Sequence, residues 1–160
     1  MAFHEELIEH ALFLAQLKWP EEPNQAELRR AISAAYYALF HLLTSEASLN
    51  WKNDSQRNRF ARMFDHARMK TCSARVASRP MPTDPSQAKA FTDLKTVALA
   101  FVKLQQERHS ADYDNSIVWS RKEVGALVSQ AKAAMATWTA IRDEPLAQEF
   151  LFELIPSPNR

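Results

Sequence analysis

The chain has 160 residues, with 20 Lys and Arg against 19 Asp and Glu, and a single glycine, Gly125. A chain of this length fits one domain that buries enough apolar surface to need neither metal nor disulfide. One glycine leaves little material for phosphate-cradling loops, dinucleotide fingerprints or tight hairpins, which argues against P-loop, Rossmann and all-β classes and for an all-α protein.

Residues 3–18 carry Leu7, Ile8, Ala11, Leu12, Leu14 and Ala15 at helical spacing, and Pro20 and Pro23 end that helix. Asn24, three before Glu27, has the capping-box pattern. It opens a helix to about Ala47 with Leu28, Ala31, Ile32, Ala35, Leu39, Leu42 and Leu43 on its apolar stripe. Asp54 or Ser55 is expected to cap a third helix through about Cys72, with Phe60, Met63, Phe64 and Met69 inward. Three prolines make residues 76–85 a loop.

Asp84-Pro85 starts a helix that sets Phe91, Leu94, Val97, Phe101 and Leu104 on one face and reaches about Arg108. Residues 110–119 are polar and aromatic and read as an irregular link. Ser120 with Glu123 is a second capping box, opening a helix with Val124, Leu127, Val128, Ala131, Met135, Trp138 and Ile141 inward. Pro145 restarts a short helix to about Leu154. Trp119, Trp138 and Phe150-Leu151-Phe152 read as core or dimer surface. The expected architecture is one domain over residues 1–160, an antiparallel bundle of four main helices plus short flanking helices.

Charge is unevenly spread. Residues 1–51 are net −4, residues 52–79 net +6 and residues 80–160 net −1. The middle stretch is either a solvated helix face or a positive patch that meets phosphate. One cysteine, Cys72, suits a reducing cytoplasm. The acidic start is not that of a signal peptide, and no apolar run is long enough to span a membrane.

No metal or cofactor is expected. His4 and His10 are six apart, whereas one helix face needs a spacing of four, and Glu-x-x-His is absent. No glycine-flanked nucleophile elbow exists.

Two segments carry chemistry. In Leu28 to His41, small residues at 31, 34, 35 and 38 admit a close neighbour, and Tyr37 and His41 share a face, as do Arg30 and Ser33. Its plainer reading is a core helix with those polar groups satisfied inside. Glu107 to Asp114 concentrates a guanidinium, an imidazole, carboxylates and a phenol at a helix end, where Arg and His also suit the helix dipole.

Arg29-Arg30 followed by Tyr36-Tyr37-Ala38-Leu39-Phe40-His41, and some seventy residues later Arg108-His109-Ser110-Ala111-Asp112-Tyr113-Asp114, resembles the HEPN superfamily (higher eukaryote and prokaryote nucleotide-binding), in a prokaryotic branch with an Arg-x-x-Ala-Asp-Tyr-Asp element. The resemblance covers about residues 24–142. It implies a helical bundle that forms a homodimer, contacts RNA or nucleotide through a basic cleft, and has an antitoxin-type protein as a possible partner. In active members, an Arg and a His four to six residues apart cut RNA without metal, through attack of a ribose 2′-hydroxyl on the adjacent phosphate.

Carried onto this chain, the implied catalytic residues are Arg108, His109, Asp112, Tyr113 and His66. The implied substrate-binding residues are Arg59, Arg62, Tyr37 and His41. The chain departs from the pattern, because five residues after Arg108 stands Tyr113 and no His follows within the gap. Arg59 and His66 have the family spacing, with six residues between them, and Arg62 and His66 are expected to share a helical face. The expected function is therefore a metal-independent ribonuclease of a toxin or defence system or, as the alternative, a non-catalytic module binding nucleotide, RNA or protein.

Overall fold

The computed structural model describes residues 1–16 and 20–156, so the expected last turn of the first helix, at 17–18, lies outside the described residues. Those residues are all-α: α1 is Phe3–Gln16, α2 Gln25–Ser48, α3 Asp54–Ala61, α4 His66–Ser78, α5 Ala88–Tyr113, α6 Arg121–Ile141 and α7 Pro145–Leu154. A single 3-10 turn, Pro85–Gln87, leads into α5 under the Asp84 cap. None of these helices is long and apolar enough to cross a membrane.

Both capping boxes form. The Asn24 side chain accepts from the Glu27 N–H while Glu27 accepts from the Asn24 N–H, and Ser120 and Glu123 repeat the exchange. These boxes set where α2 and α6 begin. The core takes buried side chains from every helix except α3, whose half-buried Phe60 packs against it, and Tyr36, Phe101, Trp138 and Phe150 are fully buried.

Contacts between helix ends fix how α2 sits. Gln25 at its start exchanges two hydrogen bonds with the Trp119 backbone, donating at 2.8 Å and accepting at 2.9 Å. Near its other end, Glu46 pairs with Arg142 at 3.1 Å. The start of α2 thus lies beside the start of α6 and the end of α5.

The loop expected over 76–85 begins only after Ser78, where α4 ends with Val76 buried. Two larger expectations are corrected. The third helix is two helices. Asn53, not Asp54 or Ser55, caps α3, and the Asp65 carboxylate accepts from the Arg68 N–H at 2.8 Å to start α4. A second cap within the segment offers the backbone a new start, so the chain turns at 62–65. Met63 falls in that turn and is 59 % exposed rather than inward, while Phe64 and Met69 are buried. Arg62 closes α3 and His66 opens α4, so the two do not share a helical face.

The second correction concerns α5, which runs to Tyr113 rather than stopping near Arg108. Its end is held from outside. Arg29 donates to the carbonyls of Ala111 at 2.7 Å, Asp114 at 3.0 Å and Ile117 at 2.6 Å. A guanidinium on the terminal carbonyls satisfies acceptors that the helix cannot and complements its dipole.

Candidate functional site

Extending α5 puts Arg108 and Asp112 one turn apart on one face, and Nη1 of Arg108 donates to Oδ2 of Asp112 at 3.2 Å. The other carboxylate oxygen accepts from the Ser33 hydroxyl of α2 at 2.8 Å. The guanidinium carbon lies 5.2 Å from the centroid of the Tyr36 ring and 5.7 Å from that of Tyr37. Its side chain is 12 % exposed. A cation over two aromatic faces, with a carboxylate at its edge, is stabilised without full hydration.

Tyr36 also links to α4. Its hydroxyl and Nδ1 of His66 are 2.6 Å apart, and the His66 ring stacks on Phe40 at 4.3 Å. The buried phenol has no other hydrogen-bond partner among the described residues. Its hydrogen therefore points at Nδ1, and the network assigns the ring hydrogen of neutral His66 to Nε2. Burial pushes the Tyr36 pKa well above its usual value, so the hydroxyl keeps its proton. Burial, with help from the Arg108 charge, lowers that of His66, so its imidazole is neutral at pH 7.

Tyr37, Ser33 and Asp112 turn one side toward a groove of about 580 Å³ between α1, α2 and the end of α5. Arg29, already bound to the carbonyls at the end of α5, also lines it, and its charged lining is completed by Arg30 and His10. Both are exposed, and neither side chain has an ion-pair or hydrogen-bond partner among the described residues. Arg108 stands behind Tyr37 and Asp112. The groove thus offers two free cationic or protonatable groups, two hydroxyls and a carboxylate already matched by a guanidinium.

No family model, curated protein or solved structure matches this chain.

Four of the sequence-expected site residues gather: Arg108, Asp112, Tyr37 and His66 surround Tyr36 or border its contacts. His41 lies further along α2, its ring 6.1 Å from that of Tyr37 and 4.9 Å from that of Phe3, in a separate groove with His4 and Arg57. His109 and Tyr113 do not join them. One residue is a rotation of about 100° on a helix, so positions 109 and 113 share a different face from 108 and 112. Their rings pack together at 4.9 Å, Tyr113 is 71 % exposed, and His109 lines a groove between α4 and α5 with Lys70, Gln105 and Gln106. Arg59 on α3 and Arg62 at its C-cap are exposed, with no contact to the cluster among the described residues.

The residues missing from the expected site are Tyr36, Ser33, Arg30 and His10. Arg30 and Ser33 are marked in the sequence only as sharing a helix face, and Tyr36 by a hydroxyl in an otherwise apolar face that needs a buried partner. His10 comes from α1, outside both segments, and no local spacing marks it. Among the described residues, no group of three or more His, Cys, Asp or Glu gathers in a way that could hold a metal ion.

Proposed function

We propose that this chain is a HEPN-like antiparallel bundle that holds a phosphate of RNA or of a nucleotide in the groove between α1, α2 and the end of α5. The observation that carries this reading is the meeting of two segments some eighty residues apart: Ser33 bonds Asp112, and Arg108 lies over Tyr36 and Tyr37 beside a groove with unpaired Arg30 and His10. A phosphate there meets the Arg30 guanidinium, the Tyr37 hydroxyl and the field of Arg108, while the Ser33 hydroxyl stays on Asp112. Homodimer formation, an antitoxin-type protein partner and a cytoplasmic setting belong to the same proposal.

Binding without cleavage is the better supported form. With its hydrogen on Nε2 and Tyr36 on Nδ1, neutral His66 is a donor at its free nitrogen and has no lone pair to take a ribose hydroxyl proton. The experiment is an anisotropy titration of a labelled oligoribonucleotide at several salt concentrations. Affinity that falls steeply with salt, and that is lost in Arg30→Glu, supports the reading. Salt-insensitive binding, or no binding at high protein concentration, contradicts it.

One observation favours a second reading, a metal-independent ribonuclease. Arg108 and His66 border the same Tyr36 ring, so a cation for a charged phosphorane and an imidazole stand close together. RNA cleavage that survives excess EDTA and disappears in both Arg108→Ala and His66→Ala supports it. Intact RNA under those conditions leaves binding alone.

A further inference from the structure

Trp51, between α2 and α3, stacks on Phe60 of α3 with centroids 4.3 Å apart and planes 25° from parallel. Phe64 meets Phe60 edge-on at 5.2 Å and braces it from below. Trp51 is nevertheless 37 % exposed. A braced, partly exposed pair of rings can take a third planar group in an offset stack.

Trp51 precedes, and Phe60 lies within, the basic stretch of residues 52–79, which is net +6. Lys52, Arg59 and Arg62 are exposed, and their side chains have no partner among the described residues. Arg57 donates to the Trp51 carbonyl and pairs with Asp54 at 3.5 Å, which matches the nearest carboxylate.

The platform lies at the far end of a polar face. On α2, Arg30, Ser33 and Tyr37 line the phosphate groove, and His41, Ser45 and Ser48 line the next groove, whose opposite wall is α3. Their spacing of three or four residues keeps them on one side of the helix. Ser48 is buried, and from Arg30 to the exposed Ser45 that side is about 23 Å long at the usual helical rise. Of the carboxylates beside it, Asp112, Asp54 and Glu46 are matched by Arg108, Arg57 and Arg142, and Glu5, near His4, accepts from the Ala2 N–H.

We propose that the Trp51–Phe60 pair is a base-stacking site for a single-stranded nucleic acid whose strand follows this face of α2 from the Arg30 end. It rests on the phosphate reading above and adds a second site, a strand path and a requirement for unpaired bases. Stacked rings in a basic stretch suit a nucleobase and its phosphates, because every base presents a π-face. A duplex hides those faces.

The test uses the full chain and labelled oligouridylates of about four and about nine nucleotides, both within the usual range of single-strand sites. The longer strand binds the wild type more tightly than the shorter one and more tightly than a duplex of its own length. Trp51→Ala weakens the longer strand about tenfold to a hundredfold and leaves the shorter one unchanged. Trp51→Phe retains most of the affinity. Arg62→Glu, at an exposed side chain, also weakens the longer strand and guards against misfolding of Trp51→Ala.

Equal affinity of wild type and Trp51→Ala for the longer strand, with Arg30→Glu still abolishing binding, overturns the platform and leaves the phosphate groove standing. No binding of either strand to the wild type overturns both. Binding to phosphatidylserine vesicles that depends on Trp51, with oligonucleotide affinity unmoved by Trp51→Ala, assigns the patch to a membrane surface and overturns the proposal.

Discussion

Ser33 on α2 and Asp112 on α5 are joined by a hydrogen bond of 2.8 Å, and the same carboxylate holds Arg108 through its other oxygen. Asp112 is therefore the pivot between two helices and the cation that lies over the tyrosines. Replacing it with Ala removes both bonds and leaves a mostly buried guanidinium without its counter-ion. The expected cost is about 1–3 kcal/mol, reduced from a fully buried pair by the partial exposure of the carboxylate. Ser33→Ala is expected to cost about 1 kcal/mol. Urea unfolding checks both, and a double mutant that loses less than the sum of the two confirms that they share one network.

Arg29 performs a different task. Its guanidinium spans three carbonyls at and beyond the end of α5, which sets the helical register of Asp112 and Arg108. Arg29→Ala is expected to destabilise the fold by about 2–4 kcal/mol. Arg29→Lys is expected to recover only a minor part, because a single ammonium cannot reproduce a planar fork of donors. Hydrogen exchange at the last turn of α5 reads the effect locally, and unchanged protection there contradicts it.

Acid stability follows from the histidines. Burial lowers the pKa of His4, His41 and His66, and the charges of neighbouring His66 and His4 add to this at His41. Each is neutral in the fold, whereas the unfolded chain takes up protons at the ordinary value near 6.5. The unfolded state thus binds more protons just below that pH. Their contribution to stability is complete above about pH 6.5 and is lost as the pH falls through the lower folded values. Urea midpoints between about pH 8 and pH 5 should fall on the acid side, with a shallower slope in His66→Gln. A midpoint that rises on acidification contradicts this assignment. Tyr36 acts at the other end of the scale. Its raised pKa makes stability fall once the pH exceeds the ordinary phenol value near 10.

Much of the fold is legible in the sequence where the signal is local. Asn24 with Glu27 and Ser120 with Glu123 mark helix starts because a cap and its reciprocal partner lie within four residues. The break between α3 and α4 is harder to read. Phe60 and Phe64 keep helical spacing across it, and the outcome depends on Asp65 offering a second cap. Loss of that cap in Asp65→Ala is expected to cost about 1 kcal/mol, measurable as a lower melting temperature.

The site is legible only in its parts. Arg108, Asp112 and Tyr37 stand out by residue type, but Tyr36 with His66 and Ser33 with Asp112 are contacts across helices that no local spacing encodes. The separation of His109 and Tyr113 from Arg108 and Asp112 follows from helical rotation alone. It becomes visible once α5 is known to continue to Tyr113, which depends on Arg29 from another helix.

The most direct test of the phosphate groove is the affinity of a short labelled oligoribonucleotide for wild type and for Arg30→Glu, with the unfolding midpoint of both measured alongside. Arg30 is exposed and unpaired, so its replacement leaves the midpoint within about 0.5 kcal/mol of wild type. The phosphate groove predicts that binding is lost while stability is kept. Equal binding by the two proteins would contradict it.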